Sequence, residues 1–344
     1  MYKIKYTERN NKIASEYETR CLLYLLSMRK DSDKISIFFV DCLNDLTGTN
    51  EDCNALWDTQ AKGVRSLNPT KIGEALITLF ENYISELNFI YSFLLIPKTN
   101  EGYLINETLK QYNYDNFLIT KKTNLRNGLR HEYLRRNNLD ETTPSLEEDI
   151  DDFLAKVIFV VADNKEKYIR EIVQFRNKDS HTGTFYSSIF DEIRDKQSAL
   201  KNINVEGVQI NQPSDLIGYN KYLKSNEIKL MVLNRFVGTE LFKNNSIPTT
   251  YITEVIGMDP QDISDLIQEN NTKISRTLFN KNNKKSFWLL LENIIHSISK
   301  NPNGDIYLIY NNLNADLIKR NYTMDKNSVL FFISIIKNGI TYDN

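Results

Sequence analysis

Two short runs limit what this chain can fold into. ISIFFV at 35–40 and FIYSFLLI at 89–96 are rich in β-branched and aromatic residues. They are too short for buried helices of ordinary length, and Pro97 stops the second, so both read as strands. ALWDTQAK at 55–62 reads as a strand between them, and Thr47, Gly48, Thr49 and Asn50 read as a polar loop. Residues 13–28 read as a helix, with Leu22, Leu25, Leu26 and Met28 on its apolar side and Glu16, Glu18 and Arg20 towards its start. Asn68-Pro69 pairs a capping residue with a proline in the first turn. Ile72, Leu76, Leu79, Phe80 and Tyr83 then recur at helical spacing. The order helix, strand, strand, helix, strand predicts an α/β fold, a small mixed sheet flanked by helices.

Beyond Pro97 the pattern predicts a strand at 117–120, a basic helix at 125–136 and an acidic connector at 137–152, with Pro144 and Ser145 opening a helix. A strand at 157–161 follows, and then helices at 185–200, 221–242 and 287–299. The stripe of Trp288, Leu289 to Leu291, Ile294 and Ile295 reads as core or as a partner-facing surface. A chain of 344 residues exceeds what one compact core usually holds. The expected division is an α/β domain over 1–200 and a mostly helical partner-binding and assembly domain over 201–344.

Hydrophobic residues make up 41% and charged residues 26%, ordinary for a folded chain. The net charge of −2 announces no nucleic-acid partner, so any DNA site must come from local clustering. Cys21, Cys42 and Cys53 form no CxxC pair, which argues against a disulfide framework or a zinc site and fits a reducing cytoplasm. The polar MYKIKYTERNNK does not read as a signal peptide. The apolar run at 329–336 is too short to span a bilayer, so no membrane partner is expected.

Chemistry concentrates at two strand ends. Asp45 lies just past the first strand, and Gln60-Ala61-Lys62 closes the second. Residues i and i+2 of a strand share a face, so Gln60 and Lys62 project together, and the intervening turn brings Asp45 beside them. Asp45, the Gln60 side-chain oxygen and the Ala61 carbonyl are hard oxygen ligands suited to Mg2+, with Mn2+ as its substitute. Lys62 would orient the attacking water or stabilise the charged transition state. Glu16 or Glu18 could complete the site from the first helix, and Asp41 rivals Asp45 for the acid role. The plain alternative makes Asp45 a turn residue and Lys62 a strand-end charge.

An acid followed by (D/E/Q)-x-K on the next strand is the signature of the PD-(D/E)xK, or restriction-endonuclease-like, fold. The stretch FFVDCLNDLTG…ALWDTQAKGVRSLNPTKIGEALITLFENYISELNFIYSFLLIP resembles the double-strand DNA endonuclease domain of bacterial anti-phage systems. That family includes the CD-NTase-associated nuclease and the nuclease subunit of Lamassu. The likeness is best over 13–97, with a fainter echo in DEIRDKQSALKN at 191–202. It implies a Mg2+-dependent DNA endonuclease and a double-stranded DNA substrate. It further implies restraint by an SMC-like ATPase and a small accessory subunit, and a homo-oligomer when active. Gln60 departs from the acid usual at its position and brings no charge to a metal.

KKTNLRNGLRHEYLRR at 121–136 offers Lys121, Lys122, Arg126, Arg130, Arg135 and Arg136 as phosphate contacts; the plain alternative is a solvated helix. Lys281, Lys284 and Lys285 form a weaker cluster. The acidic stretch at 140–152 reads as the cover of a helix N-terminus. R-N-x-x-x-H occurs twice, as Arg126-Asn127…His131 and Arg176-Asn177…His181. This spacing resembles that of HEPN ribonucleases, in which Arg and His cleave RNA without metal. Polar residues at helix ends are the plainer reading. A non-catalytic assembly subunit with a degenerate nuclease fold is the remaining alternative.

Overall fold

The computed structural model describes residues 1–4, 12–64, 67–139, 145–177, 180–243, 246–282 and 284–342. After a short strand β1 (Tyr2–Lys3), helix α1 (Lys12–Leu23) carries Cys21, Leu22 and Leu23 into the interior and runs on as a π-helical turn over Tyr24–Met28. A meander follows, made of β2 (Ile37–Val40), β3 (Leu46–Thr49) and β4 (Leu56–Ala61), with neighbours antiparallel. Helices α2 (Pro69–Ala75) and α3 (Ile77–Tyr83) cross over to β5 (Phe89–Ile96), which runs parallel to β4. The start of α2 is as expected: Asn68 accepts the Lys71 N–H at 2.8 Å and Pro69 sits in the first turn.

Next come β6 (Gln111–Asn113), α4 (Ile119–Asn137), α5 (Ser145–Lys156), β7 (Ile158–Val161), α6 (Lys165–Val173), α7 (Gly183–Leu200), β8 (Gln209–Ile210) and β9 (Tyr222–Lys224). Seven strands form one mixed sheet in the order β6-β7-β5-β4-β3-β2-β9, and β1 pairs with β8 apart from it. Strand alternation puts Asp58 and Gln60 on one sheet face with Leu94, Ile96 and Phe159. That face is covered by a core drawn largely from α2, α3, α4 and α5. The opposite face, which carries Gly48 and Thr59, receives α1 and its π turn.

Three expectations fail, each because a partner distant in sequence decides the conformation. Residues 47–49 are not a loop but most of β3, buried and paired on both edges. Gly48 is a packing glycine, since a Cβ there would lie 2.9 Å from Ile35 and 3.1 Å from Leu25. No strand forms at 117–120: Phe117 makes only an isolated bridge with Leu104, and α4 opens at Ile119. The segment 221–242 is not one helix. Residues 222–224 pair with β2 as Phe38↔Leu223, and only then does α8 (Ser225–Val237) begin.

The chain divides into two compact units, one of residues 1–168 and 190–225, the other of 169–189 and 226–344. A single boundary near residue 200 gives way to a discontinuous division, because β9 returns the chain to the edge of the first sheet. The second unit is helical, with α9 (Pro260–Leu278), α10 (Lys284–Lys300), α11 (Ile306–Asn311), α12 (Ala315–Arg320) and α13 (Lys326–Tyr342). The stripe from Trp288 to Ile294 is mostly core, as is the run at 329–336 inside α13. Among the described residues no helix is long and apolar enough to cross a membrane.

In the first unit, α2 and α4 meet backbone to backbone. A Cβ on Gly73 would lie 1.9 Å from the Leu125 carbonyl oxygen, and one on Gly128 would lie 2.1 Å from that of Thr70. Gly128→Ala therefore must push the helices apart. It is expected to cost about 1–3 kcal/mol of unfolding free energy, read by urea denaturation. An unchanged midpoint would refute this contact.

Candidate active site

The register Leu46↔Thr59 continues one step to set Asp45 across from Gln60. Asp45 Oδ2 accepts two hydrogen bonds at 2.7 Å, one from Gln60 Nε2 and one from the Ala61 backbone N–H. The Asp45 N–H donates to Asn44 Oδ1 at 3.0 Å, and both Asp45 and Gln60 are buried. The acid and the first residue of Q-x-K thus meet, though not across a turn from β2: Asp45 leads into β3, which pairs directly with β4. The geometry also accounts for Gln60. A carboxylate in its place would face Asp45 at contact distance, whereas the amide donates to it.

Asp58 lies two residues before Gln60 on the same strand face and is fully buried. It accepts from Asn82 Nδ2 at 2.7 Å and from Asn44 Nδ2 and Thr47 Oγ1, each at 3.3 Å. Asn82 also donates to the Leu43 carbonyl at 3.1 Å and accepts the Tyr2 hydroxyl at 2.7 Å. Burial outweighs these hydrogen bonds and pushes the Asp58 carboxyl up to about 7. Asn44 joins the two acids, bonding Asp58 through its amide nitrogen and Asp45 through its oxygen. The period-2 pattern that relates Gln60 to Lys62 extends back to Asp58, so this residue had a sequence signal. Asn82, brought in by α3, had none.

Asp41 borders the same cavity as Asp45, but its carboxylate is paired with a lysine. It sits at φ 49°, in the left-handed region, and bonds the fully buried Lys221 Nζ at 3.2 Å. The two glutamates of α1 differ. Glu18 forms a buried ion pair with Lys201 at 2.6 Å. Burial first, and then the nearby Asp45 charge, push the Cys21 thiol well above its usual range. Glu16 instead meets Lys165 at 2.8 Å and Arg20 and Arg194 at 3.8 Å, so it does not join Asp45. Lys62 follows the end of β4, its N–H donating to the Leu95 carbonyl at 2.9 Å.

A cavity of about 660 Å3 opens beside these groups, bordered by Asp41, Asp45, Gln60 and Glu81, with Arg135 and Arg136 from α4. Neither Lys62 nor Glu18 lines it. The basic helix is otherwise largely neutralised by acids of its own chain. Arg126 bonds Asp151 at 2.7 Å and Glu147 at 2.6 Å, Arg130 bonds Glu147 at 2.7 Å, and Lys122 bonds Asp115 at 2.9 Å. Lys121 lies over the Tyr103 ring at 5.2 Å. Arg135 is 70% exposed and pairs with a helical neighbour, Glu132, at 2.7 Å. Such exposed pairs are worth at most about 1 kcal/mol, so a phosphate could displace this one. Of the six basic residues, Arg135 and Arg136 are the ones the fold sets beside Asp45. Glu147 and Glu148 do stand in the first turn of α5, while 140–144 fall outside the described residues.

The two R-N-x-x-x-H segments separate. The first lies on α4, with Arg126 in the ion pairs above and His131 exposed. The second lies between α6 and α7 in the other unit, where Arg176 and His181 border a different cavity.

The donor set at Asp45 fits a hard cation that keeps much of its water. One carboxylate and one amide oxygen are the hard-oxygen donors available to it here. Ala61 contributes an N–H to Asp45, and among the described residues no three His, Cys, Asp or Glu side chains converge as a closed cage. Compared with known proteins, the chain matches no family model, no curated protein and no solved structure.

Two expectations follow from the buried acids. Because folding raises Asp58 from 3.8 to about 7, the native state holds a proton that the unfolded chain releases. Stability should thus decline as pH rises through that window and level off above it. Asp58→Asn should flatten the decline, measured by urea melts across pH; an unchanged slope would exclude Asp58 as its source. Gln60→Glu sets two carboxylates together. It should melt several degrees below the parent in EDTA and gain more than the parent from added Mg2+ in thermal unfolding.

Proposed function

We infer that the first unit hydrolyses phosphodiester bonds of double-stranded DNA, in a restriction-endonuclease-like site built on Asp45, Gln60 and Lys62. The observation that carries this reading is the pairing of Asp45 with Gln60 and Ala61 at the end of β4. The setting supports it: a helix, an antiparallel meander and a helical crossover to a parallel strand. Asp45 and Gln60 would hold Mg2+, with Mn2+ as its substitute. When bound, the cation supplies charge neutralisation at the phosphate and a more acidic water. The Ala61 N–H orients the Asp45 carboxylate, while Asn44, itself bonded to Asp58, fixes the Asp45 backbone N–H. Arg135 and Arg136 draw the phosphate backbone towards the cavity. Lys62, two positions beyond Asp45's partner Gln60, is assigned to the attacking water or the developing charge.

By the resemblance, this activity serves an anti-phage or anti-plasmid effector. An SMC-like ATPase and a small accessory subunit would restrain it until oligomerisation, with the helical unit receiving the partners. Plasmid cleavage with Mg2+ tests the chemistry. Asp45→Ala and Lys62→Ala should each lower the rate at least about 100-fold, and EDTA should abolish it. Equal cleavage by the parent and Lys62→Ala would overturn the assignment. The second reading, a metal-independent ribonuclease, is favoured by Arg176 and His181 bordering one cavity. RNA cleavage that survives EDTA and is lost in His181→Ala would select it.

A further inference from the structure

The second unit holds a cavity of about 430 Å3 that the DNA-cleavage reading does not use. Its construction begins after α6, where Gln174 adopts a left-handed φ of 49° and turns the chain. The backbone N–H groups of Arg176 and Asn177 both donate to the Glu292 carboxylate of α10, at 3.0 and 2.7 Å. This clasp pins the turn against α10. His296 lies one helical turn beyond Glu292 on the same face. The clasp therefore brings Arg176 and His296 to the border of one cavity.

His181 enters the same space from just before α7. Its ring stacks on Phe185 at 4.6 Å and meets the edge of Phe236 at 4.8 Å. Burial, and then the nearby Arg170 charge, lower its proton affinity. The Phe175 ring stands 6.4 Å from it. Asn293 is held in place by the Asn314 N–H, which donates to its Oδ1 at 3.1 Å.

The chemistry of the lining is one-sided. Arg176, Asn177, Asn293 and His296 can all donate, while the single acid among the lining residues, Glu292, already holds two N–H groups. Neither the Arg176 nor the His296 side chain has a hydrogen-bond or ion-pair partner among the described residues. A cationic fork and an imidazole bordering one cavity suit a phosphate. The apolar remainder, Phe175, Leu289, Ile295 and Leu317, suits a flat hydrophobic group.

The geometry points to a binding site for a nucleoside monophosphate in the second unit, with the phosphate between Arg176 and His296 and the base against Phe175 and His181. The volume lies in the range of small-ligand sites. The site is independent of Asp45, so it stands or falls apart from DNA cleavage.

Calorimetric titration of the full chain tests it, with AMP as probe and adenosine and inorganic phosphate as controls. AMP should bind more tightly than either control, because both halves of the site are then filled. Arg176→Ala and His296→Ala should each weaken AMP binding about tenfold or more, with Arg176→Lys recovering part of the loss. An unchanged melting temperature in the alanine variants separates lost binding from lost folding; should either variant unfold, competition between AMP and phosphate on the parent chain decides instead. AMP binding weaker than about 1 mM, equal affinity for AMP and phosphate, or full binding by Arg176→Ala would overturn the proposal. So would binding of RNA oligonucleotides that AMP does not compete away.

Discussion

Strand β3 is four residues long and buried throughout, and its register against β4 governs the first unit. One step of slip would turn every side chain of the meander to the opposite face. Leu46 opposite Thr59 brings Asp45 to Gln60 and to the Ala61 N–H, and sets Thr47 beside Asp58. Gly48 secures that register from the other face, since it admits Ile35 and Leu25 to a distance no larger residue allows. The packing of α1 and the placing of the candidate site are thus two consequences of one hairpin.

Around that hairpin the polar groups form a chain rather than isolated pairs. Tyr2 reaches Asn82, Asn82 reaches Asp58, Asp58 reaches Asn44, and Asn44 reaches Asp45. Buried groups of this kind are costly unless each is satisfied. Asp58 shows the limit of compensation, because three donors do not offset the burial of its charge. Asp45 differs in its surroundings: it faces a cavity bordered by arginines and receives a charge-assisted N–H from the backbone. Two acids on neighbouring strands therefore take distinct roles, one structural and proton-holding, the other turned to the cavity.

The basic helix follows the same logic on the surface. Its first half is matched by the acids of α5, so the raw count of positive residues overstates the field it offers to a polyanion. Its last turn is matched mainly by Glu132 within the helix, and that turn is the part beside Asp45. In the second unit the balance is reversed. There a lone carboxylate is consumed by backbone N–H groups, leaving a donor-rich cavity.

The sequence by itself determined the elements whose signals are local. Asn68-Pro69 opened α2, and Phe89–Ile96 formed β5. It also determined that Asp45 and Gln60 lie near each other, because a short hairpin leaves few ways to pair them. Tertiary structure decided whatever depended on distant partners. Thr47 to Thr49 became a strand because β2 and β4 both had edges to fill. Residues 222–224 became β9 because β2 still had a free edge. Glu16, Glu18 and Asp41 are equally acidic in sequence. Lys165, Lys201 and Lys221 separated them, and no spacing within the chain encodes which lysine folding brings to which carboxylate.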